Sequence, residues 1–360
     1  MEPISFARGV PAPDCLPVAE LADCARAVLE RDGTTALSYG PATGYAPLRK
    51  WIAERHGVAA GRVLLTNGSL QGFLLLAQLL APTGRVLVEA PTYDRPLKIL
   101  AKLGAEVVPV PQDDDGLDID ALEEELARGP VSFLYTIPTF QNPSGRTMSP
   151  ARRERLARLA RERKLLVLED DPYGLVRFEG EALPTVFELA RTENVVYSSS
   201  FSKTVAPGLR VGYLILPGEL TAELEAAAAG TYITPVLLGQ ATVYEFLSRG
   251  RLEPNLERVR AMLRERRDAM LEALERQLPE ASWIEPEGGY FVWLDLPDGV
   301  HTADLRPEGV TFVPGSDFFA GAGGESAVRL AFSYVSPDEI GEGVARLASA
   351  VRSGLVARTG

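Results

Sequence analysis

Residue types capable of covalent chemistry gather in one stretch, Ser198-Ser-Ser-Phe-Ser-Lys-Thr-Val-Ala-Pro-Gly-Leu-Arg-Val-Gly212. Lys203 sits there among small hydroxyl side chains, just past an apolar run, Asn194–Ser198, that reads as a buried strand. Arg210 follows after a Pro-Gly turn. A lysine beside a second fixed cation gives up its proton more readily and can attack a carbonyl carbon. Serine hydroxyls and a guanidinium suit a phosphate. Alone, a lysine in a serine-rich loop is an ordinary surface cation, so the rest of the chain must supply the partners.

Four further strings carry chemistry. Leu165-Leu-Val-Leu-Glu-Asp-Asp-Pro-Tyr173 ends an apolar strand on two acids, Asp170 and Asp171, with Tyr173 close behind. Pro138-Thr-Phe-Gln-Asn-Pro-Ser-Gly145 places Asn142 in a turn. Leu64-Leu-Thr-Asn-Gly-Ser-Leu-Gln71 reads as strand, glycine turn and helix start. The backbone N–H groups of Gly68, Ser69 and Leu70 at such a helix start, with its positive dipole end, favour a phosphate. Ala327-Val-Arg-Leu-Ala-Phe-Ser333 sets Arg329 in a strand, where a guanidinium can grip a carboxylate with two parallel hydrogen bonds.

Together these strings resemble the fold-type I aminotransferases (class I/II) that depend on pyridoxal 5'-phosphate, closest to the 2-aminoadipate aminotransferase and MocR-like branch. The matches run from about residue 6 to residue 333. The resemblance implies that Lys203 holds the cofactor as a Schiff base and that Asp170, rather than its neighbour Asp171, keeps the ring nitrogen protonated. Tyr173 and Asn142 would reach the ring's phenolic oxygen. Gly68, Ser69, Leu70, Ser200 and Arg210 would hold the phosphate. Glu89-Ala-Pro-Thr-Tyr93 is similar to the family segment whose aromatic ring stacks on the cofactor, which points to Tyr93. Leu37-Ser-Tyr-Gly-Pro-Ala-Thr-Gly-Tyr-Ala-Pro-Leu-Arg49 resembles the segment whose tyrosine, here Tyr39, reaches the neighbouring subunit's phosphate. That carry-over implies a homodimer with shared sites. Arg329, Asn142 and Gly9, the last in Phe6-Ala-Arg-Gly-Val-Pro-Ala-Pro13, would meet the substrate. Arg8, next to Gly9, is a candidate for selecting an acidic or polar side chain.

The activity so implied is transfer of an amino group between an amino acid and a 2-keto acid. The same residues also support a lyase or cyclase of an amino-acid or natural-product pathway, and a non-catalytic cofactor-binding regulatory domain is a third reading. In the MocR branch a DNA-binding segment precedes this domain, and no basic helix-turn-helix candidate stands here.

The elements that must position these residues are legible as alternation. Apolar runs at Arg62–Thr66, Val86–Glu89, Glu106–Val110, Val131–Thr136, Leu165–Glu169, Asn194–Ser198 and Val211–Leu216 read as strands buried on both faces. Helical patterns lie between them, the clearest opening at Ser149-Pro150. This is an α/β fold, a mostly parallel sheet between helices. After about residue 235 a charged helix, Leu256–Leu278, leads to a hairpin-like Ser282–Glu285 and Tyr290–Leu296, a strand at Val328–Ser333 and a last helix after Ser336-Pro337. These make a smaller α+β domain. The expected division is 1–34 as amino-terminal arm and part of the small domain, 35–250 as the large cofactor-binding domain, and 251–360 as the small carboxy-terminal domain.

The net charge of −12 argues against nonspecific binding to nucleic acid or an anionic membrane surface. No apolar run approaches the length of a membrane span. Two cysteines and two histidines, Cys15, Cys24, His56 and His301, show no zinc spacing and suggest no disulfide framework. No metal is expected, and a reducing cytoplasm is the simplest setting.

Overall fold

The computed structural model describes residues 3–191 and 194–359. A short strand β1 (Ile4–Ser5) comes first. The large sheet then draws on β2 (Val63–Thr66), β3 (Arg85–Ala90), β4 (Val107–Asp113), β5 (Gly116–Leu117), β6 (Val131–Thr136), β7 (Val167–Asp170), β8 (Val195–Ser200) and β9 (Gly212–Ile215). Their spatial order is β2-β9-β8-β7-β6-β3-β4-β5. β4, β3, β6, β7 and β8 run parallel. Successive side chains of these strands enter two different cores: Leu134, Val167 and Val195 face one, while Phe133, Tyr135, Leu168 and Val196 face the other. Burial on both faces is why the strands read as unbroken apolar runs.

β9 departs from the parallel pattern and is antiparallel to both β8 and β2. The connection from Ser200 to Gly212 carries only a short 3-10 turn, Pro207–Leu209. A parallel return needs a crossover of a dozen or more residues, so the chain doubles back instead.

A second, antiparallel sheet joins β10 (Ser282–Trp283), β11 (Phe291–Asp295), β13 (Val313–Pro314) and β14 (Ala327–Ala331) in the order β10-β11-β14-β13. The helices Leu252–Gln277 and Pro337–Thr359 pack against each other beside it. The first of these starts at Leu252, ahead of the expected Leu256, because Pro254 falls in its first turn, where a missing N–H costs nothing. β12 (Val310–Thr311) pairs in parallel with β1, tying the amino-terminal segment to this part of the chain. An unforeseen helix, Val18–Leu37, packs on Leu237–Ser248 through the side of Cys24 and Val28. Cys15 and Cys24 are buried and unpaired.

The parallel strands deliver Tyr93, Asn142, Asp170 and Lys203 from the carboxyl ends of β3, β6, β7 and β8. Open α/β sheets bind ligands along that edge.

Candidate active site

A cavity of about 540 Å³ opens at this edge, between the large sheet and β11 and β14. Lys203 lies in it, just past β8. Its Nζ donates to the Gly9 carbonyl at 2.7 Å, and the rings of Tyr290 and Tyr173 flank it at 5.1 and 5.7 Å. Tyr290 also donates its hydroxyl to the Lys203 carbonyl at 3.0 Å, fixing the loop's main chain. Burial, with the positive charges of Arg329 and Arg210 nearby, pushes the amine down to about 8. A minority of it, far larger than for an ordinary lysine, is therefore unprotonated near neutral pH, as a nucleophile requires.

Asp170 closes β7 and is buried in the same cavity. Tyr135 donates to its Oδ2 at 2.9 Å and Ser198 to its Oδ1 at 3.1 Å. Burial pushes its carboxyl up to about 6, while the two hydroxyls pull it back. Asp171 takes its hydrogen bonds elsewhere, from the Tyr197 hydroxyl at 2.9 Å and the Gly174 N–H at 2.8 Å. It borders a separate cavity with His56 and Tyr213. Adjacent strand residues point to opposite faces, and only Asp170 shares a cavity with Lys203. His56 is wedged among Tyr197, Tyr213 and Phe187, and burial pushes it down to about 4, as befits a core histidine.

At one end of the cavity the helix Ser69–Leu80 begins at Gly68 without any side-chain cap on its first N–H groups. Ser69, Leu70, Ser200 and Arg210 line this end. Gly68 has φ of 92°, and a Cβ there would lie 2.3 Å from Arg210 Nη2. Gly212 is as constrained: its Cβ would lie 2.3 Å from the Ser69 nitrogen. Glycine at both places lets the helix start, the sheet edge and the guanidinium converge. Arg210 is steadied by the Asn67 and Pro207 carbonyls, each at 3.2 Å. Uncapped N–H groups, a hydroxyl and a guanidinium together fit a phosphate dianion.

At the other end Arg329 rises from β14, 7% exposed. It donates through Nη1 to Asn142 Oδ1 and through Nη2 to the Ala7 carbonyl, both at 2.9 Å. Its guanidinium lies 4.3 Å from the centre of the Phe291 ring and 5.0 Å from that of Phe318. Nε is buried without a partner. No carboxylate pairs with this cation among the described residues, and so it is poised for one from a ligand. Asn142 spends its oxygen on Arg329, and its amide nitrogen has no partner among the described residues.

Tyr93, Tyr173 and Gly9 complete the lining. Gly9 is there because a side chain would not fit: its Cβ would sit 2.5 Å from Phe291 Cε1. Of the residues expected to meet cofactor or substrate, Tyr39 alone stands well away, 83% exposed and outside this chain's own cavity. Tyr135, Tyr290 and Phe291 escape a motif reading, and Ser198, though inside the lysine string, has no role there toward Asp170. The one available signal is the hydroxyl of Tyr135, two residues after Phe133 on the same apolar face of its strand.

A lysine of lowered basicity, a buried acid, a phosphate cradle and an unpaired guanidinium, set on a doubly covered α/β sheet, define a pyridoxal-phosphate-dependent enzyme of fold type I. The chain belongs to the class I and II aminotransferases, whose family model matches residues 4–347. It is 42% identical to the 2-aminoadipate transaminase of Thermus thermophilus, over 98% of this chain and 91% of that protein. It is 36% identical to aromatic-amino-acid aminotransferase 1 of Thermococcus litoralis, over 97% and 88%. The crystal structure of the alpha-aminoadipate aminotransferase from Thermus thermophilus, complexed with N-(5'-phosphopyridoxyl)-L-leucine, superposes with a TM-score of 0.94 at 41% identity, covering 99% of this chain and 93% of that one.

Proposed function

We propose that this aminotransferase exchanges amino groups between an amino acid and a 2-keto acid through the amine of Lys203. The observation that carries this reading is the meeting of Lys203, Asp170 and Arg329 in one cavity with an empty-handed helix start at its far end. When bound, pyridoxal phosphate supplies an aldehyde that takes up amines and a ring that draws electron density from the adjoining carbon.

The chain's own residues do the rest. Gly68, Ser69 and Leu70, with Ser200 and Arg210, hold the phosphate. Asp170 keeps a proton on the ring nitrogen, and the Tyr135 and Ser198 hydroxyls keep Asp170 ionised for that task. Tyr173 and the free amide nitrogen of Asn142 serve the phenolic oxygen, and Tyr93 covers the ring. Arg329 and Asn142 clamp the substrate's α-carboxylate, with Gly9 packed beside it. Lys203, once its amine is free, would take the proton from the substrate's Cα and carry it to the carbon that the cofactor's aldehyde supplies.

Residues 35–250 form the cofactor-binding unit in this reading, with 1–34 and 251–360 contributing the arm and the small domain. A homodimer completes the site. Its support is the exposed Tyr39 together with exposed Leu37, Ile233 and Val236, drawn together where the Gly40 N–H donates to Thr234 Oγ1 at 3.2 Å. Tyr39 then reaches the phosphate held by the neighbouring subunit. Two buried, unpaired cysteines favour a reducing, cytoplasmic setting.

The test is to load the protein with pyridoxal phosphate and offer single amino acids. Loss of the cofactor's visible absorbance band with release of the matching keto acid supports the reading. Ammonia released in step with the keto acid would replace it with elimination. A Lys203→Ala variant that still turns over would remove the lysine from its role.

A further inference from the structure

Arg8 stands at the mouth of the cavity, exposed, between two residues already committed to it. The Ala7 carbonyl accepts from Arg329 at 2.9 Å, and the Gly9 carbonyl accepts from Lys203 at 2.7 Å. The main chain at Arg8 is thus pinned between the guanidinium assigned to the α-carboxylate and the reacting amine. Its own guanidinium carbon lies 4.8 Å from the centre of the Tyr334 ring, which also lines the cavity. A guanidinium laid on a ring face keeps its in-plane N–H fork free for a carboxylate.

The other charges around the cavity have employment. Arg210 is steadied at the phosphate end, Arg329 serves the α-carboxylate, and Lys203 serves the carbonyl carbon. Arg95 lies 3.6 Å from Asp94, which Lys98 also contacts at 2.6 Å. Asp170 belongs to the ring nitrogen. Arg8 is left over: among the described residues no carboxylate pairs with it and its side chain makes no hydrogen bond.

We propose that Arg8, stacked on Tyr334, binds the second carboxylate of an acidic amino-acid substrate whose α-carboxylate is held by Arg329. The proposal rests on the reading of Lys203 and Arg329 given above and adds the substrate class. An amide in place of that carboxylate offers no charge to Arg8 and binds more weakly.

L-Glutamate and L-glutamine have the same length and differ in that charge, so they are the probes. With the cofactor-loaded protein, glutamate is expected to be the better donor. Arg8→Gln, at an exposed position, should lower kcat/KM for glutamate by about 10- to 100-fold, the range for a hydrogen bond to a charged group, and leave glutamine unchanged. Arg8→Lys should recover part of the loss. A readout without turnover is perturbation of the visible band by glutarate and by pentanoate. Glutarate affinity should fall in Arg8→Gln by the same factor, with pentanoate unaffected. Equal losses for both donors, no loss for either, or a wild-type preference for glutamine would overturn the acidic-substrate assignment while the visible band stands. Failure of the wild-type protein to develop that band would overturn the reading beneath it.

Discussion

The Nζ of Lys203 donates to the carbonyl of Gly9 across 2.7 Å, joining residues 194 positions apart in the chain. The amino-terminal segment is therefore a wall of the cavity, held on one side by the lysine and on the other by Arg329 through the Ala7 carbonyl.

The lowered basicity of Lys203 predicts how the cofactor-free protein captures pyridoxal phosphate. Only the neutral amine reacts, so the rate should climb with pH and level off above about 8. Stopped-flow absorbance would measure this. A rate still climbing near the ordinary lysine value would show that burial does not depress the amine.

Arg329→Ala should weaken amino-acid binding by about 2–5 kcal/mol, the cost of deleting one partner of a buried charge pair. Arg329→Lys should restore little, since an ammonium lacks the planar fork that meets Asn142 and Ala7. Steady-state kinetics with one donor checks both; unchanged KM and kcat would place the carboxylate site elsewhere.

Gly9→Ala should disturb the wall itself. The new Cβ would meet the Phe291 ring, which in turn supports Arg329 at 4.3 Å. A loss of roughly 1–3 kcal/mol in urea unfolding is expected from such overpacking, with reduced activity. Wild-type stability and turnover in this variant would show that the segment yields freely.

Tyr135→Phe removes one of two hydroxyls that favour the charged form of Asp170. Cofactor affinity should drop by the equivalent of about 1 kcal/mol, and Ser198→Ala should act in the same direction. Equilibrium dialysis of pyridoxal phosphate measures it, and unaltered affinity in both variants would remove these hydroxyls from the cofactor's support.

Asp170 also sets a pH dependence for the cofactor-free protein. Its folded value is raised to about 6 from an ordinary 3.8, so between these values the folded state holds a proton that the unfolded state has lost. Stability contributed by that proton is full below the lower value and falls as pH rises toward the upper one. Relative to Asp170→Asn, the wild-type protein should lose on the order of 2–3 kcal/mol across this window. Parallel stability curves for the two proteins would contradict the raised value.

Much of this is written locally. The strand runs are legible because a strand buried on both faces can tolerate few polar residues, and β6 falls on the expected Val131–Thr136. The lysine loop, the Asn-Pro turn and the strand–Gly–helix join are legible because a turn, a helix start and a nucleophile each need particular residues in a fixed local order. Helix Val18–Leu37 escapes a sequence reading although Leu21, Cys24 and Val28 follow helical spacing, since Gly33, Thr34 and Thr35 dilute the pattern where the helix kinks at Asp32.

The sequence by itself determined the family, the surroundings of Lys203 and most of the succession of strands and helices, because short-range spacing encodes them. The tertiary structure decided that Tyr135 and Ser198 support Asp170, that Asp171 turns instead to a separate cavity, and that Arg8 meets Tyr334 at the cavity mouth. Those relationships depend on which face of a strand looks into the cavity and on segments brought together from opposite ends of the chain, and sheet order and packing, rather than local spacing, set both.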